Sequence, residues 1–297
     1  MRTTVKWIGI VLGSLIGLLL ALAIVFLILG NMRLNKSYDF PADNVVIPTD
    51  EASLERGKHI AETTCAQCHG ADLGGVDGWF KMEGVGEIDA SNLTTGSGGV
   101  GSVYASDEDY VRAIRHGIDA DGKPIFMPAV LVYQHMSDED LGAVIAYLKV
   151  APPVERVTEG SFDVMGKIML GAGLFGNLPV EEVSHASNVT APEAGVTAEY
   201  GEYLATLGDC ASCHGADYAG GAYPDPAITF PVPNITPAGN IGAWTEQEFI
   251  AAMRTGVTPE GKPLAPTFMP FGAIGKMSDD ELKAVYLFLK SLPAVEK

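Results

Sequence analysis

An eleven-residue block occurs twice in this 297-residue chain. Glu62-Thr63-Thr64-Cys65-Ala66-Gln67-Cys68-His69-Gly70-Ala71-Asp72 returns 145 residues later as Leu207-Gly208-Asp209-Cys210-Ala211-Ser212-Cys213-His214-Gly215-Ala216-Asp217. Shorter echoes follow in the same order. Asn92-Leu93-Thr94 answers Asn234-Ile235-Thr236, and Ile114-Arg115-His116-Gly117 answers Met253-Arg254-Thr255-Gly256. Asp121-Gly122-Lys123-Pro124 answers Glu260-Gly261-Lys262-Pro263, Phe126-Met127-Pro128 answers Phe268-Met269-Pro270, and Met136-Ser137-Asp138 answers Met277-Ser278-Asp279. A solenoid repeats every 20–50 residues or so, and the period here is far longer. The chain is therefore two copies of one unit of roughly a hundred residues.

Each copy carries helix starts with a mechanism. Ser106 with Asp109, Thr245 with Glu248, Ser137 with Asp140 and Ser278 with Glu281 each set a hydroxyl three residues before an acid that can reach back to it. The last helix of each copy then shows apolar spacing, at Leu141, Val144, Ile145 and Leu148 and at Leu282, Val285, Tyr286 and Leu289. An earlier helix, over 53–64 and over 198–209, leads into each cysteine pair. No alternating strand pattern of useful length appears, so both units read as all-α, three or four short helices joined by long loops. The Gly/Pro-rich loops at 73–103 and 215–243 are too long for a plain small bundle and suit units that wrap a large non-protein group. The expected boundaries are 50–154 and 197–297. Residues 155–196 between them form a linker with an apolar Gly-rich stretch over 162–180. That stretch reads as a helix packed between the domains, the alternative being a surface lying on a membrane or a partner subunit.

The four cysteines of the chain, Cys65, Cys68, Cys210 and Cys213, fall entirely within two Cys-x-x-Cys-His motifs. That motif is the attachment signature of a c-type haem. Its two thiols add across the porphyrin vinyl groups, and the adjoining imidazole, here His69 or His214, is placed to bind iron. A thioredoxin-like pair would need a βαβ setting. A zinc site built from all four thiols would leave both histidines as coincidences and each unit without its organiser. Two covalently bound haems are the expectation.

The opposite iron ligand has two aligned candidates in each copy. Met136 and Met277 precede the caps Ser137 and Ser278, with Leu141 and Leu282 five residues on, a hydrophobic staple that core packing explains. Met127 and Met269 lie in Phe-Met-Pro after a Gly-Lys-Pro turn, where proline fixes the loop, and they are the expected ligands. His59, His116, His135 and His185 have no aligned partner and read as ordinary surface or core groups. Arg115, Arg254, Asn92 and Asn234 are candidates for bonding haem propionates, or else surface pairs and turn residues. Trp244, before the cap Thr245 and five residues from Phe249, reads first as a staple.

Ahead of the repeats, Trp7 to Gly30 is a run of 24 uncharged residues. As a helix it spans about 36 Å, against about 30 Å of bilayer hydrocarbon. It is too long for the apolar region of a cleavable signal, and no small-residue cleavage site follows. Residues 1–36 therefore read as a single transmembrane anchor of undecided orientation, with Arg2 and Lys6 on one side and Arg33 and Lys36 on the other. Beyond it, 15 basic side chains face 37 acidic ones, a charge of −22 split as −12 over 37–154 and −10 over 155–297. That sign excludes nucleic acid as a routine partner and points to redox partners with a basic docking surface.

On these motifs both units resemble class I c-type cytochromes. Residues 50–154 and 197–297 together resemble the membrane-bound cytochrome subunits that accompany periplasmic dehydrogenases. The resemblance implies that an N-terminal helix crosses the C-terminal helix at a glycine and an aromatic, Gly57 with Tyr147 and Gly201 with Tyr286 or Phe288. It also implies single-pass insertion in a bacterial cytoplasmic membrane, with Met1 inside and both haem domains on the periplasmic or extracellular side. The expected function is a relay of single electrons between a periplasmic donor, a dehydrogenase or quinol-oxidising complex, and a respiratory acceptor, with dehydrogenase or oxidase subunits as partners. A dihaem enzyme with one open iron site, peroxidase-like or acting on sulfur compounds, is the alternative. A haem sensor would need a signalling domain, and only about six residues precede the apolar run.

Overall fold

The computed structural model describes residues 2–223, 228, 229, 231–266 and 268–296, with Arg2 described by its backbone alone. Part of the second long loop, 224–227 and 230, lies outside the described residues, as does Met1. The chain opens with α1 (Arg2–Leu34), which has no acidic residue in its first turn and Arg33 in its last. It is long and apolar enough to cross a membrane. Residues 3–22 are exposed throughout; covering begins at Ala23 and recurs at Phe26, Leu27 and Gly30, one stripe of the helix.

In the first repeat, α2 (Glu51–Ile60) starts at the Asp50 cap and runs through one π turn (Ala61–Cys65) into α3 (Ala66–His69). A hairpin follows, β1 (Val76–Met82) and β2 (Gly86–Ala90). Then come α4 (Asp107–Val111), a second π turn over Arg112–His116, α5 (Val130–Tyr133) and α6 (Asp138–Leu148). The connecting region holds β3 (Ser161–Phe162), which pairs with β2, then α7 (Val164–Gly171) and α8 (Pro179–Glu182). The second repeat contains α9 (Ala198–Leu207), α10 (Cys210–His214), the short pair β4 (Gly221–Ala222) and β5 (Pro231–Val232), α11 (Asn240–Ala243), α12 (Glu246–Thr255), α13 (Phe271–Ile274) and α14 (Asp279–Ser291). The molecule is mostly helical, an apolar N-terminal helix followed by two matching helical units.

The same crossing organises both units. A Cβ on Gly57 would overlap the carbonyl oxygen of Ala143, and one on Gly201 would overlap that of Ala284. Only glycine lets α2 lie on α6, and α9 on α14, this closely. The contact falls on the backbone four residues before Tyr147 and two before Tyr286. One continuous core runs through both units, including Ile60, Leu141, Ile145, Leu204, Leu282 and Leu289.

Two features depart from the sequence reading. The first loop carries a small sheet. Its strand β1 shows no alternation because neither face is fully covered; Trp79, Phe80 and Met82 are all exposed. And α7 does not pack between the two units but antiparallel to the end of α1. Gly171 meets the backbone of Phe26 and Gly30, and Gly30 meets that of Lys167.

The capping boxes of Ser106, Thr245 and Ser278 form as expected. Ser137 caps the Asp140 amide, but the Asp140 carboxylate turns away. It accepts from Arg56 Nε and Nη2 at 2.9 and 3.0 Å and from the Tyr203 hydroxyl at 2.7 Å. The aligned Glu281 sits 2.6 Å from His59 Nε2 and 2.9 Å from Arg56 Nη1. Glu281 thus meets the first helix of the other unit, and Asp140 bridges the first helices of both units.

Candidate haem sites

An open cavity of about 670 Å³ in the first repeat has walls that include Cys65, Cys68, His69, Met127 and Tyr133. The local fold explains the meeting. The π turn delivers Cys65 at the end of α2, with the Thr63 and Thr64 hydroxyls bonding back to His59 and Ile60 carbonyls. Gly70, at φ 80°, stops the helix directly after His69, and the Gly75 amide then closes onto the His69 carbonyl at 2.8 Å. The second repeat repeats this: Gly215 has φ 80°, and the Gly220 amide bonds the His214 carbonyl at 2.8 Å.

Each histidine is oriented by one carbonyl. His69 Nδ1 lies 2.6 Å from the Ser91 oxygen and His214 Nδ1 2.9 Å from that of Pro233. A carbonyl can only accept, so Nδ1 carries the proton and Nε2 is left with its lone pair, the arrangement that metal-binding imidazoles use. Burial lowers both imidazole pKa values, the carbonyl bonds opposing it, which holds the rings neutral. Burial raises all four thiols, Cys210 to about 12, so they rest as uncharged thiols. Among the described residues no group of three or more His, Cys, Asp or Glu side chains is placed to hold a metal ion. The two thiol pairs therefore do not converge as a four-thiolate zinc site requires.

Met127 follows a loop closed by the Asp119–Lys123 and Gly117–Ile125 backbone bonds. Met269 follows the matching loop, closed by Thr258–Lys262 and Gly256–Leu264. Phe268 stacks edge-on to Tyr223 beside it. Met136 also lines the first cavity, from the core side, and is buried as Met277 is.

Of the four propionate candidates, Asn92 and Arg115 do not line the first cavity. Asn92 spends its amide on the Val154 and Arg156 carbonyls and its oxygen on Thr94. Asn234 does the same with Val295 and Thr236. Both pin the chain leaving the last helix of their unit. Arg115 is fully buried, bonded to Asp43 at 2.7 Å and the Met136 carbonyl at 2.8 Å. Arg254 bonds the Gly275 carbonyl and Asp279.

Two wall residues escape the sequence reading. Tyr133 stands beside the first thiol pair, and burial there pushes its phenol well above the ordinary value. Asp209 belongs to the second repeat, directly before Cys210, yet lines the first cavity. Its left-handed backbone, φ 55°, absorbs one extra residue, since Gly201 to Cys210 is nine positions and Gly57 to Cys65 eight. That count was the available signal.

A cavity holding two thiols, an imidazole with its Nε2 free and a thioether fits a covalently bound haem, and the duplicated unit that presents these groups twice defines a dihaem c-type cytochrome. The cytochrome c family model matches residues 54–151 and again 198–293, and the chain belongs to that family. It is 26% identical over 313 residues to the fructose dehydrogenase cytochrome subunit of Gluconobacter japonicus, covering 92% of this chain and 59% of that one. It is 39% identical over 95 residues to the cytochrome c subunit of the quinone alcohol dehydrogenase of Gluconobacter oxydans, covering 30% of this chain and 20% of that one. It is 28% identical over 284 residues to a diheme cytochrome c-type protein of Cereibacter sphaeroides, covering 84% of this chain and 88% of that one. The chain thus spans less than two thirds of the length of either dehydrogenase subunit. It carries two covalent c-type haems with iron.

Proposed function

We propose that this chain is a membrane-anchored relay that passes single electrons between a periplasmic donor, a dehydrogenase or quinol-oxidising complex, and a respiratory acceptor. In this reading residues 1–36 are the anchor, 50–154 and 197–297 the haem domains and 155–196 the linker, with both domains on the outer side of the cytoplasmic membrane. The thiols of Cys65, Cys68, Cys210 and Cys213 close the thioethers. His69 and His214 give Nε2 to iron, and Met127 and Met269 the opposite thioether. A bound haem supplies a one-electron couple, and a soft thioether ligand favours its reduced form.

The observation that carries the proposal is Asp209. The residue preceding the second thiol pair forms part of the wall around the first, so the two sites share a boundary inside one continuous core. A rigid shared wall suits transfer between two centres. The acidic surface suits a basic partner, and exchange with such a partner should slow as salt rises.

The test is a pair of optical and low-temperature magnetic spectra, oxidised and reduced, with carbon monoxide added to the reduced protein. Two low-spin haems with thioether charge-transfer absorption and no carbon monoxide shift are expected. One high-spin or carbon-monoxide-binding haem would overturn the relay in favour of an enzyme with an open iron. Met127→Leu should remove half of the thioether band and Met136→Leu none of it; the reverse result would exchange their roles.

A further inference from the structure

The connecting region contains an apolar face that the relay does not use. On α7 and the turn after it, Val164, Met165 and Leu174 are 63%, 53% and 68% exposed, and Phe175 38%. Residues 172–177 are all exposed. Exposed apolar side chains gathered on one short segment are normally covered.

Its depth follows from what it touches. Gly171 packs on Phe26 and Gly30 of α1, both inside the 24-residue apolar run. Because α7 runs antiparallel to α1, its C-terminal end points back toward the bilayer. The covered stripe of α1 reaches Ala23, seven residues before Gly30, or about 10 Å below it along the helix. Whatever depth α1 takes, α7 must share.

Part of the backbone is already paired for that environment. In hydrocarbon every carbonyl needs an internal partner, and a helix C-terminus leaves several without one. Here the Ile168 carbonyl accepts from Ala172, Met169 from Leu174, Leu170 from Gly173, and Gly173 from Gly176. Arg33, on α1, reaches over to donate to the Leu170 carbonyl at 3.0 Å and the Gly176 carbonyl at 2.9 Å. Its charge is met by Glu181 at 3.1 Å.

We propose that α7 and the 172–176 turn are inserted in the outer leaflet as a second, re-entrant membrane contact beside α1, with lipid acyl chains as the occupant of the apolar face. The proposal rests on α1 being a membrane anchor. Continuity with the anchor selects lipid over a protein partner. The same contact sets the first cavity against the membrane surface, since Leu34, the last residue of α1, is part of its wall.

The test uses the full haem-loaded chain in phosphatidylcholine vesicles containing a lipid with a photoactivatable diazirine in its acyl chain, the adducts being mapped by peptide mass spectrometry. Adducts are expected within 7–30 and within 164–176. Adducts in 7–30 with none in 164–176 would overturn the re-entrant contact and leave the anchor standing. Adducts in neither would overturn the anchor reading itself. In the Leu174→Asp, Phe175→Asp double variant, adducts in 164–176 should fall at least fivefold while those in 7–30 and the haem spectrum stay unchanged. In native membranes, a photo-crosslinking residue at position 174 that captured a polypeptide in place of lipid would also overturn the proposal.

Discussion

Arg115 and Arg254 occupy the same place in the two repeats, after a matching helix and before a matching turn. Arg115 is fully buried, whereas the Arg254 side chain is 36% exposed. The difference lies in what surrounds them. Over the first repeat the segment leaving the anchor folds back, bringing Asp43 to Arg115, and Asp138 completes the site at 2.7 Å. The linker adds His185, stacked on Phe40 and bonded to His116 at 3.1 Å. Among the described residues no corresponding segment covers Arg254, which rests on Gly275 and Asp279 at the surface. An inherited residue keeps its position while its surroundings decide how much it matters.

The comparison can be broken most forcefully where the repeats agree. Gly57→Val and Gly201→Val each drive a side chain into a facing backbone, and each should cost on the order of 3–4 kcal/mol. Denaturant unfolding should find the two alike; a gap above about 1 kcal/mol would mean that the crossings are not equivalent. Where the repeats differ, Arg115→Met should cost about 3–5 kcal/mol, because it strands Asp43 and a buried Asp138 oxygen. Arg254→Met should cost under about 1 kcal/mol, and equal losses would remove the distinction between a clamped and an open unit.

Acid tests the contact between the units. Burial alone raises the Glu281 carboxyl, but the His59 ring, the Ser278 amide and the Arg56 charge outweigh it and bring the pKa down to about 2 from an ordinary 4.5. A depressed carboxylate gives stability that is full above the unfolded value and is lost as pH falls toward the folded one. The contribution, on the order of 2–3 kcal/mol, should therefore disappear between about pH 4.5 and 2. Glu281→Gln should flatten that part of the stability profile, and an unchanged profile would reject the role. The smallest effect concerns two caps. Ser278→Ala should cost about 1 kcal/mol. Ser137→Ala should cost a few tenths more, because the Ser137 hydroxyl also lies 3.4 Å from the Tyr203 oxygen, which can accept from it.

The repeat, the thiol–imidazole motifs and the caps were legible because each is a local pattern that occurs twice, and the glycine crossings followed from the family resemblance those motifs carry. Other features lacked any local signature. Arg56 meets partners 84 and 225 residues away, and nothing near Arg56 in the chain announces either. The β1–β2 hairpin was hidden because a strand exposed on both faces has no apolar alternation. The asparagines read as propionate donors bond exit segments some 60 residues on, which nothing near them in the chain announces. Spacing cannot distinguish a carbonyl partner from a cofactor oxygen.

The carboxylate contact also bears on symmetry. Its two sides come from corresponding positions: Arg56 and His59 flank Gly57, and Tyr200 and Tyr203 flank Gly201 in the same way. A surface that meets its own copy is the mark of an isologous two-fold dimer. The contact between the two units has that form in part, because corresponding residues of the two first helices face carboxylates at corresponding positions of the two last helices. One side offers Arg56 and His59, and the other the phenols Tyr200 and Tyr203. Asp140 bridges Arg56 of its own half and Tyr203 of the other, whereas Glu281 meets Arg56 and His59 across the contact, so matched positions now carry unequal parts of one junction.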